Sequence, residues 1–200
     1  MSSLPALRTE RIYLRDLRAS DLEAMRPVWG DPRVMRYMAC EVMDEEQIRA
    51  TLAQATTEAS SQPRTRYQLA ACLDGDDTAV GTITLEVEDA ITGYLGGLAF
   101  GPRAPRAGSA TEAIWLVLKL AFAHLGLARC WAFVVNENTA ARRTFDLFGA
   151  TFTGERDWHL PGRGRTFHGM TMEMTAETWR AMPDDPTPRA IIRHRRAQAS

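Results

Sequence analysis

Lysine is nearly missing from this chain: Lys119 stands alone among 24 lysine and arginine residues in a length of 200. Net positive charge is missing too, because 25 acidic residues bring the formal charge to −1. So balanced a chain lacks the excess that grips a phosphate backbone, which argues against a nucleic-acid partner. Cysteine is scarce: Cys40, Cys72 and Cys130 are odd in number, far apart and without metal-ligand spacing. A disulfide framework and a thiolate metal site are therefore not expected, and the three read as reduced thiols in a reducing compartment. No apolar run approaches the ~18 residues of a membrane span, and the longest, Ala113 to Leu125, contains Lys119 and His124. Met1 to Pro5 lead into Arg8, Glu10 and Arg11 rather than an apolar segment, so no signal peptide is visible and a cytoplasmic protein without a membrane partner is expected. A Gly-x-x-x-x-Gly-Lys-Ser/Thr motif is also absent, which argues against an ATP-type phosphate loop.

Apolar residues at 45% and charged residues at 24% give an ordinary globular balance, and the length suits one domain. Alternation predicts a strand at Arg11–Arg15, with Ser20-x-x-Glu23 as a capping box opening a short helix. A second helix is predicted from Asp44 to before Pro63. Strands follow at Tyr67–Leu73, Val80–Glu88 and Thr92–Phe100. After an irregular loop, Ser109-x-x-Glu112 has capping-box spacing and should open a helix that Gly126 ends. A strand at Arg129–Val135, a helix from Thr139 to Phe148, and strands at Thr151–Leu160 and Thr166–Met174 complete the order. Pro183 to Ser200, with two further prolines and a His/Arg cluster, reads as a mobile tail, leaving 1–182 as the domain. The layout is mixed α/β with a helix crossover between two middle strands.

The strand–loop–helix at Phe100 to Thr111 carries the most chemistry. A helix starting near Ser109 aims its free N–H groups and positive dipole end at the loop before it, a ready site for phosphate oxygens. Gly108 permits close backbone approach, and Arg103 and Arg106 add fixed charge. An ordinary capped helix after a surface loop fits the same residues.

The run Arg103-Ala104-Pro105-Arg106-Ala107-Gly108-Ser109-Ala110-Thr111-Glu112-Ala113 resembles the pyrophosphate motif Gln/Arg-x-x-Gly-x-Gly/Ala of the GNAT superfamily of acyl-CoA N-acyltransferases, with Arg106 where the motif has its first glycine. Leu7 to Arg15 and Gly93-Tyr94 resemble strands of the branch that acetylates ribosomal-protein N-termini, and Asn138-Thr139-Ala140-Ala141 resembles the family's Asn-x-x-Ser/Ala near CoA. The resemblance spans roughly residues 7 to 180. It implies a mostly antiparallel sheet splayed at its centre with flanking helices, and acetyl-CoA as cosubstrate with no metal. Pantetheine would meet the backbone of Leu98, Ala99 and Phe100 beyond a bulge at Gly96-Gly97. Arg103, Arg106, Ala107, Gly108, Ser109, Ala110 and Thr111 would surround the pyrophosphate, and Asn138 and Arg142 would lie near CoA.

The implied activity moves an acetyl group to a primary amine, on a protein N-terminus or a small molecule, by direct attack in a ternary complex, in a monomer or homodimer. Such chemistry needs a route for the amine's proton. The family's tyrosine acid, seven residues after the motif Asn, is Phe145 here, and its central-strand glutamate is missing at Ile91-Thr92. Glu86 and Glu88 share one strand face. Glu88 is the candidate base, although a solvated strand face explains either carboxylate alone. Trp158, His159 and His168 read as hairpin packing with a surface histidine, and Trp29, Tyr37 and Met38 as core. A CoA-binding module without chemistry is the competing reading, on the strength of Arg106, Phe145 and the missing glutamate.

Overall fold

The computed structural model of the chain describes residues 4–105, 108–160 and 164–198. Its strands are β1 (Leu7–Arg8), β2 (Ile12–Asp16), β3 (Arg66–Leu73), β4 (Asp76–Val87), β5 (Thr92–Phe100), β6 (Arg129–Val135), β7 (Thr151–Leu160) and β8 (Arg165–Thr175). They form one sheet in the order β1-β2-β3-β4-β5-β6-β8-β7. Among the described residues only β5 and β6 pair in parallel. That pairing needs a crossover, supplied by α3 (Ser109–Lys119) and the π turn Leu120–His124.

Alternation sorts the two faces. Leu69, Ile83, Leu85, Leu95, Ala132 and Val134 point to a core completed by Ile114, Leu116 and Val117 of α3 and by Phe145 and Phe148 around α4 (Thr139–Leu147). Residues of opposite phase, Ala70, Cys72, Ala79 and Ala99, lie under α1 (Leu22–Trp29) and α2 (Glu45–Ala59). Each fully buried leucine or isoleucine contributes roughly 1.5–3 kcal/mol.

Local signals are realised unevenly. At α2, Asp44 and Gln47 exchange reciprocal cap bonds of 2.8 and 2.9 Å. At α1 the box expected from Ser20 is replaced by a 3-10 turn, Ala19–Asp21, whose Asp21 carboxylate accepts from Arg18 N and pairs with Arg15 at 2.7 Å. The box expected at Ser109 does not form either, because Gly108 holds the N-cap with φ +90° and Glu112 is taken elsewhere. Its buried carboxylate accepts from Arg11 Nε and Thr9 Oγ1, both at 2.7 Å, from the β1–β2 turn.

The tail expected over 183–200 needs correction. Residues Pro188–Gln198 form a helix, α6, and Ile191 is completely buried in the main core with Ala190 beside it. Arg195 donates to the carbonyl of Asp146 at the end of α4, and His194 Nε2 lies 2.7 Å from the carbonyl of Ala181, after α5 (Ala176–Arg180). Ala190 and Ile191 are the buried side chains of this otherwise basic segment.

Candidate active site

β5 and β6 are paired only at Thr92–Arg129, Gly93–Cys130 and Tyr94–Trp131, and then part. From Leu95 onward the edge of β5 that faces β6 has no strand partner among the described residues. On its other edge, the register to β4 slips between Thr82–Ala99 and Thr84–Gly96, so β5 carries an extra residue, the bulge expected at Gly96-Gly97. Gly97 sits at φ +60°, and a Cβ there would lie 2.5 Å from Thr84 Oγ1, so glycine is required. Thr82 Oγ1 donates to the Gly97 carbonyl at 3.0 Å and pins the bulge.

A cleft of about 770 Å³ opens at this parting. Leu98, Phe100, Ala110, Asn138 and Phe145 line one end, and Glu86, Glu88, Tyr94, Trp131, Arg156 and Trp158 line the other. Ala99 is buried under α1. Asn138 caps α4, its Oδ1 accepting from Ala141 N at 3.1 Å. Phe145 brings only an apolar ring, and Arg142 is exposed and outside the cleft lining.

The loop end of the site is set by α3. Gly108 offers no side-chain cap, so the first-turn N–H groups at Ser109, Ala110 and Thr111 have no helical acceptor. Ser109 Oγ instead donates to the Pro105 carbonyl at 3.0 Å, closing the loop on itself. A Cβ at Gly108 would meet Arg11 Nη2 at 2.6 Å and Pro188 Cδ at 3.0 Å, which makes this a cradle that only glycine leaves open. Arg11 thereby places a guanidinium at the cradle while offsetting the buried charge of Glu112. Arg103 is exposed and reaches Asp76 at 3.4 Å. Arg106 and Ala107 lie outside the described residues.

At the other end Glu88 Oε2 accepts a 2.7 Å bond from Trp131 Nε1. Glu86 lies opposite Tyr94 in the register, with Oε1 3.2 Å from Arg66 Nε. Tyr94 stacks on Trp131 and Trp158 with centroids 4.7 and 5.8 Å apart, and Arg156 lies 5.4 Å from both indoles. Burial first, then the neighbouring carboxylates, pushes the Tyr94 hydroxyl up to about 12. Sequence reasoning passed over Tyr94, Trp131 and Arg156 as site residues. Trp131 did carry a signal, since it alternates out of phase with the buried Cys130, Ala132 and Val134. Trp158, read as hairpin packing, belongs to the same stack. Trp29, Tyr37 and Met38 all line the cleft, Trp29 from a buried position in the core.

Remaining candidates lie apart from this arrangement. Burial raises the Cys130 thiol to about 12, which removes it as a nucleophile. His168 Nδ1 pairs with Asp157 at 2.7 Å on an exposed face, and His159 Nδ1 with Thr166 at 3.1 Å. Among the described residues no group of three His, Cys, Asp or Glu is placed to hold a metal, and no helix is long and apolar enough to cross a membrane.

A family model described as Acetyltransferase (GNAT) domain matches residues 11–151. No curated protein matches the chain. Among solved structures, a probable acetyltransferase (GNAT family) from Chromobacterium violaceum is 25% identical with a TM-score of 0.73, covering 90% of this chain and 91% of that one. A GCN5-related N-acetyltransferase from Brucella melitensis is 18% identical with a TM-score of 0.77, covering 98% and 96%. The spermidine N-acetyltransferase from Vibrio cholerae, in complex with CoA and spermine, is 16% identical with a TM-score of 0.71, covering 86% and 99%.

Proposed function

This chain belongs to the GNAT family of acetyltransferases and is an acetyl-CoA-dependent enzyme, and we propose that it transfers the acetyl group to a primary amine by direct attack in a ternary complex. The observation that carries the reading is the parting of β5 from β6 beyond Tyr94, with the Gly108 cradle at one end of the opening and two carboxylates at the other. Acetyl-CoA supplies an activated acetyl thioester. The free N–H groups of α3 and the guanidinium of Arg11 suit its pyrophosphate, and the unpaired edge of β5 at Leu98 to Phe100 suits its pantetheine amides. Arg103, Arg106, Ala107 and Arg142 are assigned to the same cosubstrate on sequence grounds.

Glu88 takes the amine's proton. It stands in the cleft at the acceptor end, and the indole of Trp131 fixes one oxygen while leaving the other available. The carboxylates and the aromatic wall favour an acceptor that arrives as an ammonium ion, a protein N-terminus or a small cationic amine. The Gly108 to Ala113 run and Gly93-Tyr94 support a protein N-terminus. The spermine bound by the Vibrio cholerae neighbour makes polyamines the natural comparison.

The test is release of CoA from acetyl-CoA against a panel of peptides with free N-terminal Ala or Ser, polyamines and small amines, with product mass confirming one acetyl group. Turnover is expected with at least one amine class. Binding of acetyl-CoA without release above the blank for every amine would reject the reading.

A further inference from the structure

Tyr94 is the last residue of β5 paired to β6, so its side chain stands where the two strands part. The ring lies along its own strand across Gly96: a Cβ built there would be 2.7, 2.8 and 2.9 Å from Tyr94 Cε1, Oη and Cζ. Gly96 is therefore the vacancy that lets the hydroxyl reach the bulge. Trp131 and, farther out, Trp158 pack against the ring at a tilt from the β6 side, with centroids 4.7 and 5.8 Å away, and limit its movement. The hydroxyl makes no hydrogen bond among the described residues, and Tyr94 lines the cleft. A restrained donor without a partner, beside a bulge that opens the sheet, is a preorganised group waiting for an acceptor atom.

We propose that Tyr94 is a catalytic residue of this enzyme, its hydroxyl donating a hydrogen bond to the acetyl carbonyl oxygen as negative charge develops there. The inference rests on the acetyl-transfer reading above. In the step, the amine lone pair forms the C–N bond and the C–S bond breaks with its electron pair leaving on sulfur. The amine's proton passes to Glu88 or water, and the departing thiolate takes up a proton from solvent, giving an amide and CoA thiol. Tyr94 gains and loses nothing; it holds the oxygen throughout.

The alternative role, proton donor to the departing sulfur, fits the chemistry poorly. Glu86 and Glu88 from the β4 side raise the hydroxyl's affinity for its proton and Arg156 from β7 lowers it, but burial dominates and keeps it protonated far above the ~8.5 of a free thiol. A sulfur leaving as thiolate takes no proton from such a group, whereas an oxyanion benefits from a donor that stays protonated at every working pH. The same reasoning explains how Phe145 is tolerated at the cleft wall.

Tyr94→Phe keeps the ring and its stacking and removes one oxygen. The expected result is a fall in kcat of about 10²-fold, with KM for acetyl-CoA within ~2-fold of the parent. A readout independent of turnover is the infrared stretch of a ¹³C-labelled acetyl carbonyl in the bound donor. It is expected at lower frequency in the parent than in Tyr94→Phe, because only the parent donates to it. Gly96→Ala, which pushes the ring aside, should reproduce both losses, with circular dichroism and acetyl-CoA titration confirming a folded, binding-competent protein. A Tyr94→Phe enzyme within about 3-fold of parental kcat and with an unshifted carbonyl band overturns the assignment. A parent inactive toward every amine would instead reject the acetyl-transfer reading, and the infrared comparison on bound acetyl-CoA would still report on Tyr94.

Discussion

At the scale of single residues, two carboxylates compete for one task. Glu86 and Glu88 reach the same cleft two positions apart, and their partners differ in kind. Glu86 faces the guanidinium of Arg66, with Oε1 3.2 Å from Nε, and so is already engaged in an ion pair. Glu88 is held by a neutral indole N–H at one oxygen and has no partner for the other among the described residues. Glu88→Gln is accordingly expected to lower kcat/KM by roughly 10²-fold, to leave acetyl-CoA affinity within ~2-fold, and to remove one ionisation from the pH–rate profile. Steady-state kinetics across pH on both single variants decide the matter: a larger loss in Glu86→Gln moves the role one pleat along the strand. That a carboxylate would stand here was legible from the phase of Glu86 and Glu88. The indole that orients Glu88 was not, because Trp131 arrives from a strand 43 positions away in sequence.

At the scale of elements, the N-terminus of α3 depends on a conformation rather than a side chain. Gly108 occupies the left-handed region at φ +90°, a strain of roughly 1–2 kcal/mol for any residue with a Cβ. Alanine there would also press on Arg11 and Pro188. The loop relieves both by rotating, which turns the first N–H groups of α3 away from the phosphate. Gly108→Ala should therefore weaken acetyl-CoA binding by about 5- to 30-fold while the folded state survives. Calorimetric titration measures this directly, and an unchanged Kd would exclude the loop as the phosphate site. The need for glycine here and at Gly96-Gly97 was legible, since a glycine at a helix start or inside a strand has few other uses. The identity of the cap was not. Ser109 and Glu112 have the spacing of a box, but Glu112 is claimed by Arg11, 101 positions away, and local spacing carries no record of such a tertiary partner.

At the scale of the whole molecule, the chain's last helix packs against the Gly108 turn at the start of α3. α6 brings Pro188 against Gly108 at its start, Ile191 into the core beneath α3 and α4, and Arg195 onto the C-terminal end of α4. Composition pointed the other way. Prolines before the helix and arginines within it read as a solvated segment, and three adjacent apolar residues, Ala190 to Ile192, are too short a run to show a period. Burial decides between the descriptions. A side chain with no exposed surface contributes to global stability, and one on a loose tail does not. Ile191→Ala removes three carbons from a filled site, and the expected cost is about 2–4 kcal/mol. Urea denaturation should show it as a lower midpoint with an unchanged slope. Because Pro188 abuts the cradle, the same variant should also weaken acetyl-CoA binding, through a helix that touches the loop rather than the ligand. A loss below about 0.5 kcal/mol would place Ile191 among ordinary surface positions and return residues 183–200 to the mobile tail that their composition describes.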